Sequence, residues 1–249
     1  MTAFKSVRVR LSQGTQYIPD VRSAVPNGFR GLPVIGEAPC GACDACIDSC
    51  PTRAIELQPF RLDLGRCVFC GACEQACPAG KIRLTPEPKM GAAQRDDLVL
   101  GEGTARPLRV KASAGFSKLF GRSLKMRQVS AGGCNACELE LNAIANVNFD
   151  AQRFGIEWVA SPRHADALVV TGPLTRGMKV AIGMAWDAMP DPRFVVAVGA
   201  CAISGGLYRE AAGTDRTFLE SVGPALFVPG CPPHPLTFVN ALLDFLGID

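Results

Sequence analysis

Residues 40–51, CGACDACIDSCP, return as residues 67–78, CVFCGACEQACP. Each cysteine of the first run meets one of the second at an offset of 27: Cys40 with Cys67, Cys43 with Cys70, Cys46 with Cys73, and Cys50 with Cys77. Pro51 and Pro78 keep the same offset, as do Ile55 with Ile82 and Leu57 with Leu84. A duplicate this regular implies one short unit folded twice: a loop carrying thiols, a helical turn and a strand. So small a unit has little apolar core of its own, and whatever its thiols bind contributes folding energy directly.

The surrounding chain narrows what that could be. It has 249 residues, comfortable for two domains, and 48% hydrophobic content supports a real core. No apolar run of about 18 residues or more suggests a membrane span. The opening residues 1–20, MTAFKSVRVRLSQGTQYIPD, lack an apolar signal core and an adjacent arginine pair, so no export signal is expected. Twelve cysteines in a chain that is not exported argue for metal ligation over disulfides. The formal charge of +3 is unevenly spread: residues 1–39 sum to +3 and 89–122 to +4, against −1 for 40–88 and −3 for 123–249. The basic flanks read as solvated counter-charge, or as docking surface for acidic partner subunits. With two Trp and two Tyr there is no basic–aromatic pattern of a nucleic-acid binder.

The doubled run resembles the C-x₂-C-x₂-C-x₃-C-P signature of bacterial two-cluster ferredoxins, in which the fourth cysteine of each run ligates the other cluster. The resemblance implies one [4Fe–4S] cluster on Cys40, Cys43, Cys46 and Cys77, and another on Cys67, Cys70, Cys73 and Cys50.

Residues 1–39, with Pro19, Pro26, Pro33 and Pro39 and little periodicity, read as an extended N-terminal arm. Residues 40–88 are the small α+β two-cluster ferredoxin-like domain. Residues 89–122 read as a linker, Gly- and charge-rich over 89–111. Phe116, Leu119, Phe120 and Leu124 near its end recur at helical spacing, which suits an amphipathic helix against a partner or membrane, or a short helix packing on its own domain. From residue 123 to 249 the pattern turns to α/β. Apolar β-rich runs at 156–159, 167–171, 194–198 and 226–228 alternate with helical stretches at 138–146, 176–189 and 236–246. That alternation predicts a flavodoxin-like parallel sheet with right-handed crossovers.

The remaining cysteines are far apart in sequence, yet each follows an expected strand: Cys134 and Cys137 after MRQVSAGG, Cys201 after VVAVGA, and Cys231 after ALFVPG. Open α/β sheets bind ligands at the carboxyl ends of their strands. Four thiols could therefore meet at one point, beside Gly132, Gly133, Gly199 and Gly230 that let the backbone turn sharply. A third [4Fe–4S] cluster would extend the wire already implied. A structural zinc and inert buried thiols are the competing readings, and the neighbouring ferredoxin-type motifs favour the cluster over both.

Residues 120–140 (FGRSLKMRQVSAGGCNACELE), 153–178 (RFGIEWVASPRHADALVVTGPLTRGM), 195–208 (VVAVGACAISGGLY) and 228–235 (VPGCPPHP) resemble the small subunit of membrane-bound group 4 [NiFe]-hydrogenases and formate hydrogenlyase. They are also similar to the homologous complex I subunit that carries the last cluster before quinone. Residues 29–33, FRGLP, with the cysteine runs after them, resemble the two-cluster ferredoxin subunit of the same complexes, so the chain looks like a fusion of two neighbours in one electron path. The resemblance implies that Cys134, Cys137, Cys201 and Cys231 ligate the proximal [4Fe–4S] cluster. Glu140 matches an acidic position after the second ligand, either a favourable charge in a helix's first turn or a contact with the large subunit beside a proton route. Complex I relatives place two ligands as adjacent cysteines; here Asn135 and Ala136 separate Cys134 from Cys137, the hydrogenase-side pattern. His234 stands where many relatives have arginine, as an interface residue or a tuner of cluster potential, and His164 has no assigned chemistry.

No nucleophile–base set, phosphate loop or nickel-type ligand set stands apart from the cysteines, and residues 198–206, VGACAISGG, are not a dinucleotide fingerprint. The expectation is an electron-transfer subunit with three [4Fe–4S] clusters and no substrate-converting site of its own. Its implied partners are a nickel–iron large subunit or its complex I homologue, other peripheral and membrane subunits, and a redox donor protein. Its expected place is cytoplasmic, peripheral on the inner face of the cell membrane. A quinone-reducing complex I relative and a free polyferredoxin-like carrier are the competing readings.

Overall fold

The computed structural model of the protein describes residues 2–40, 43–103, 110, 114–121 and 123–248. The chain opens with helix α1 (Thr2–Gln13) and strand β1 (Pro33–Ile35). The first cysteine run follows with α2 (Ala45–Asp48), β2 (Ile55–Leu57) and β3 (Phe60–Asp63), and the second with α3 (Ala72–Ala76) and β4 (Ile82–Leu84). The twin segments β2 and β4 sit at the offset of 27, in separate small sheets: β1 pairs with β4, and β2 with β3.

Part of the expected linker is structured. Residues Arg95–Leu98 form a 3-10 turn, and β5 (Val99–Gly101) adds antiparallel to β3 as the outer strand of the three-stranded sheet. Met90 and Ala92 are buried, and Ala92 exchanges backbone hydrogen bonds with Phe227 at 3.0 and 2.8 Å. Buried apolar residues at 90, 92, 98 and 100 give the segment its reason to fold. The rest of the expected linker, 104–109, 111–113 and 122, lies outside the described residues. Near its end, α4 (Ala114–Phe120) packs on its own domain: Phe116 and Phe120 meet the rings of Phe194 and Phe245.

The arm also differs from a wholly extended segment. Besides α1, Val21 is buried, and Arg22 binds Asn240 Oδ1 at 2.9 Å and pairs with Asp244. These contacts strap residues 20–24 to the last helix.

The second half holds β6 (Leu124–Ser130), α5 (Ala136–Ala143), β7 (Ile156–Trp158), β8 (Ala167–Thr171), α6 (Lys179–Asp187), β9 (Phe194–Val198), α7 (Gly199–Ser204), α8 (Thr217–Val222), β10 (Leu226–Val228) and α9 (Pro235–Leu246). The five strands form one parallel sheet in the order β10-β9-β8-β6-β7. Strands β8, β9 and β10 are buried along their whole length, which explains continuous apolar runs in place of alternation. Counted from β6, the order is 2-1-3-4-5, so the connection reverses between β6 and β8. Helix α9 is buried on nearly every side, beneath the sheet and the strapped arm.

One apolar core runs from Ile55, Leu62, Ile82 and Leu100 of the first half into Leu168, Val170, Val195 and Ile203 of the second. The two halves are therefore packed together, not strung on a tether.

Candidate metal centres

The structure sorts the eight clustered thiols into two recesses in the crossed sense. Cys40, Cys43, Cys46 and Cys77 line one, and Cys50, Cys67, Cys70 and Cys73 line the other. The fourth cysteine of each run thus turns into the other run's recess. Short α2 and α3 lie against each other. The second run needs left-handed backbone at Phe69 (φ 53°) and at Gly71 (φ 82°), where α3 begins. Among the described residues no three of the thiols gather closely enough to share a single metal ion; they frame a volume.

Backbone N–H groups already point at sulfur. Ala54 N donates to Cys50 Sγ at 3.2 Å, Phe69 N to Cys67 Sγ at 3.3 Å and Lys81 N to Cys77 Sγ at 3.3 Å. Burial dominates at three of the sulfurs. It pushes Cys67 up to about 12 and Cys73 up to about 11, with the neighbouring thiols adding repulsion. Cys46 is raised for the same two reasons. At Cys77 desolvation also raises the pKa, but the backbone donors of Lys81, Ala79, Ile82 and Gly80 outweigh it and the net shift is downward. Metal uptake must displace protons from the raised thiols.

The third set comes from three strand ends. Cys134 and Cys137 follow β6, Cys201 lies in α7 directly after β9, and Cys231 follows β10. The site sits beside the β6/β8 reversal, where open α/β sheets place their ligands. Gly199, at φ +86°, makes room for it: a Cβ there would lie 2.8 Å from Cys137 Sγ. Burial, then the charge of Glu138 and then Cys201, Cys231 and Cys134, push Cys137 up to about 12. Burial and the nearby Cys231 and Cys134 push Cys201 up to about 11, against the opposing charge of Arg216. Cys231 is raised by burial and by Cys134. The four thiols of the third set thus lie within electrostatic reach of one another.

A further cavity joins the two halves. Cys70 of the second recess and Cys231 of the third set line the same space of about 450 Å³, with Phe29, Phe69, Met90 and His234 on its walls. His234 caps α9, its Nδ1 accepting from Leu236 N at 3.1 Å, and its ring sits 5.3 Å from Phe29 and 5.8 Å from Phe149. Burial lowers its pKa. Glu140 is half-buried on α5 with its pKa raised by desolvation. His164 is exposed in a 3-10 turn.

Three charged residues beside the thiols escaped the sequence reading. Glu138 is buried next to Cys137 and accepts a 2.6 Å hydrogen bond from Thr171 Oγ1. Desolvation raises its pKa, yet the hydroxyls of Ser130 and Thr171 bring it below the usual carboxylate value. Arg216 donates to the carbonyls of Cys201, Ala202 and Ile203 at 3.1, 2.8 and 2.9 Å, satisfying the end of α7. Lys81 lies in the wall of the first recess with only 3% of its surface exposed. For Lys81 a signal existed: it breaks the repeat, since its twin at the offset of 27 is Ala54. Glu138 and Arg216 gave none, because the fold alone brings Thr171 of β8 to the one and the end of α7 to the other.

Comparison with known proteins bears on both halves. A family model described as the NADH ubiquinone oxidoreductase 20 kDa subunit matches residues 134–245, and one described as a 4Fe-4S dicluster domain matches residues 39–81. A probable membrane-bound hydrogenase subunit of Pyrococcus furiosus is 38% identical over 133 residues, covering 53% of this chain and 80% of that protein. Formate hydrogenlyase subunit 7 of Escherichia coli is 40% identical over 139 residues, 54% of this chain and 53% of its own length. An NADH-quinone oxidoreductase subunit of Desulfovibrio desulfuricans is 43% identical over 113 residues, 45% of this chain and 58% of its own length. The chain thus spans little more than half the length of the last two.

Proposed function

The chain belongs to the family of the 20 kDa subunit of NADH ubiquinone oxidoreductase, and from that membership we propose that it is the three-cluster electron-transfer subunit of a group 4 hydrogenase-type complex. Cys40, Cys43, Cys46 and Cys77 would hold one [4Fe–4S] cluster, Cys67, Cys70, Cys73 and Cys50 a second, and Cys134, Cys137, Cys201 and Cys231 the proximal one. When bound, each cluster takes up and gives back one electron without needing a proton.

One observation carries the reading: eight thiols line two recesses four by four, the other four lie within electrostatic reach of one another, and Cys70 and Cys231 wall a common cavity. Thiols that frame a volume suit a polynuclear cluster better than one zinc ion. The chain's own residues aim backbone N–H groups at Cys50, Cys67 and Cys77 and bring the second set beside the third across a shared cavity. On this reading the Cys67 set, which shares that cavity with Cys231, would stand between the Cys40 set and the third. The strand order 2-1-3-4-5 supports the flavodoxin-like reading of residues 123–249. In the same proposal residues 40–88 are the two-cluster unit, extended by β5 from the 89–122 connection.

The partner would be a large subunit carrying a nickel–iron centre, seated on the third set. Cys134 and Cys231 are exposed there, and Leu139, Leu207 and Tyr208, on the segments that follow Cys137 and Cys201, are exposed apolar side chains. Glu140, half-buried on the same helix as Cys137, would meet that partner. Among the described residues no helix is long and apolar enough to cross a membrane, so attachment to one would run through other subunits. A quinone-reducing complex is the second reading, favoured by the identity to the NADH-quinone oxidoreductase relative; the spacing of Cys134 and Cys137 favours the first.

Iron analysis of anaerobically prepared protein should find about twelve irons per chain, four for each of three clusters. Cys231→Ser should remove one cluster's EPR signal and leave two. About eight irons in the unaltered chain, zinc in the third site, or three signals surviving Cys231→Ser would sink the assignment. Nickel in the co-purified large subunit selects the hydrogenase; bound quinone without nickel selects the alternative.

A further inference from the structure

The two recesses of the duplicate are near copies in their thiols and unlike in one charge. At the offset of 27, Ala54 and Lys81 occupy equivalent places, each donating its backbone N–H to the fourth cysteine of its run. Ala54 ends in a methyl group. Lys81 carries its ammonium into the wall of the recess lined by Cys40, Cys43, Cys46 and Cys77. Its side chain is 2% exposed. There Nζ donates to the carbonyl of Ala38 at 2.7 Å and to Glu102 Oε1 at 2.6 Å, and lies 5.1 Å from the Phe60 ring centroid. The described lining of the other recess holds no charged side chain; on its rim Arg30, exposed to water, donates to the carbonyl of Cys70.

The charges of the Lys81–Glu102 pair do not cancel inside the recess. Glu102 is 49% exposed, so water screens its carboxylate, while the little-exposed ammonium lies within reach of the Cys40 sulfur. Reduction adds one unit of negative charge to an iron–sulfur centre, and a nearby fixed positive charge favours that state.

We infer that Lys81 splits the potentials of the duplicated pair, holding the cluster on Cys40, Cys43, Cys46 and Cys77 at a higher potential than its twin on Cys67, Cys70, Cys73 and Cys50. In the exchange between them one electron leaves the twin, which is oxidised, and arrives beside Lys81, where the acceptor is reduced. No bond is made and no proton moves. Lys81 thus biases where an electron rests in the two-cluster unit, with Glu102 as the moderating partner.

The inference rests on the three-cluster reading, and the experiment separates the two. Full-length Lys81→Met, Lys81→Arg and Glu102→Gln proteins are loaded anaerobically, their iron is counted, and each cluster's midpoint is read by EPR-monitored redox titration. Lys81→Met should shift one ferredoxin-type signal to more negative potential, toward the other, and leave the remaining two in place. Lys81→Arg should stay near the unaltered protein, and Glu102→Gln should move the same signal upward. A fully loaded Lys81→Met protein with three unchanged midpoints, or with all three displaced together, overturns the inference. Should Lys81→Met fail to load, Glu102→Gln carries the test, and an unmoved signal there overturns it equally. An unaltered chain that holds no four-iron clusters in the duplicated runs overturns the underlying reading instead.

Discussion

The two halves of this protein hold thiols by opposite means. In the ferredoxin-like half eight cysteines lie within 38 consecutive residues, on helices of four and five residues and strands of three or four. Its interior is partly the recesses themselves. In the sheet half four cysteines are scattered over 98 residues, and a finished core of Val169, Val196, Val198, Phe238 and Leu242 positions them. Where ligands crowd the sequence, metal substitutes for core; where core is ample, ligands can come from anywhere the strands end.

The strongest test of that contrast is removal of iron. Chelation under reducing conditions should abolish amide protection over residues 43–84 while β8 and β9 keep theirs, read by hydrogen exchange. Equal loss in both halves would break the comparison. Next in size is Phe238→Ala. The ring is fully buried and stacks on Trp158 at 6.1 Å, so its loss should cost about 3–5 kcal/mol. Denaturant unfolding of the metal-free chain measures this, and a cost below about 1 kcal/mol would mean the sheet half is not the self-sufficient one. Smaller again is Gly91→Val at the seam. A Cβ on Gly91 would lie 2.5 Å from the Ala241 Cβ of α9, so overpacking should cost about 1–3 kcal/mol. Because Gly91 ties the ferredoxin tail to the sheet, both halves should soften, and a loss confined to one would show that they fold independently.

The same contrast explains what could be read from residues alone. Strands β8, β9 and β10 were legible to the residue, because a fully buried parallel strand is an unbroken apolar run with turn residues at each end. Helix α9 was legible within one residue at its start, where Pro235 follows the capping His234. Strand ends carrying Cys201 and Cys231 could be located for the same reason, and the repeat marked out the two thiol recesses of the first half. Strands β1 and β5 were not legible: three residues each, they exist only through partners 49 and 38 positions away, Ile82–Leu84 for one and Phe60–Asp63 for the other. Nor was α1, whose described residues from 4 to 13 are all exposed, so that no buried stripe marks the sequence. Thr171 reaching Glu138, and Arg216 reaching the end of α7, are likewise products of the assembled sheet.

The finest test lies at His234, on the wall of the cavity shared by the halves. The neutral ring is needed because Nδ1 must accept from Leu236 N, and the rings of Phe29 and Phe149 beside it offer no hydrogen-bond acceptor to a second N–H. Burial holds the folded pKa below 6.5, so the unfolded chain binds the proton more readily. The stability this residue contributes is therefore present above pH 6.5 and is lost as pH falls through the folded value. His234→Ala should cost about 1 kcal/mol at neutral pH by removing the cap of α9. His234→Asn keeps an acceptor there and cannot titrate. Melting temperatures over roughly pH 5 to 8 should then fall more steeply on the acid side for the unaltered chain than for His234→Asn, and run parallel above neutrality. Parallel curves throughout would show that the ring is solvated and that the cavity does not shield it. A Phe29→Leu protein sharpens the point: opening the ring's apolar cover should shrink the acid-side difference, tying the pH response to the seam between the two halves and not to the helix cap alone.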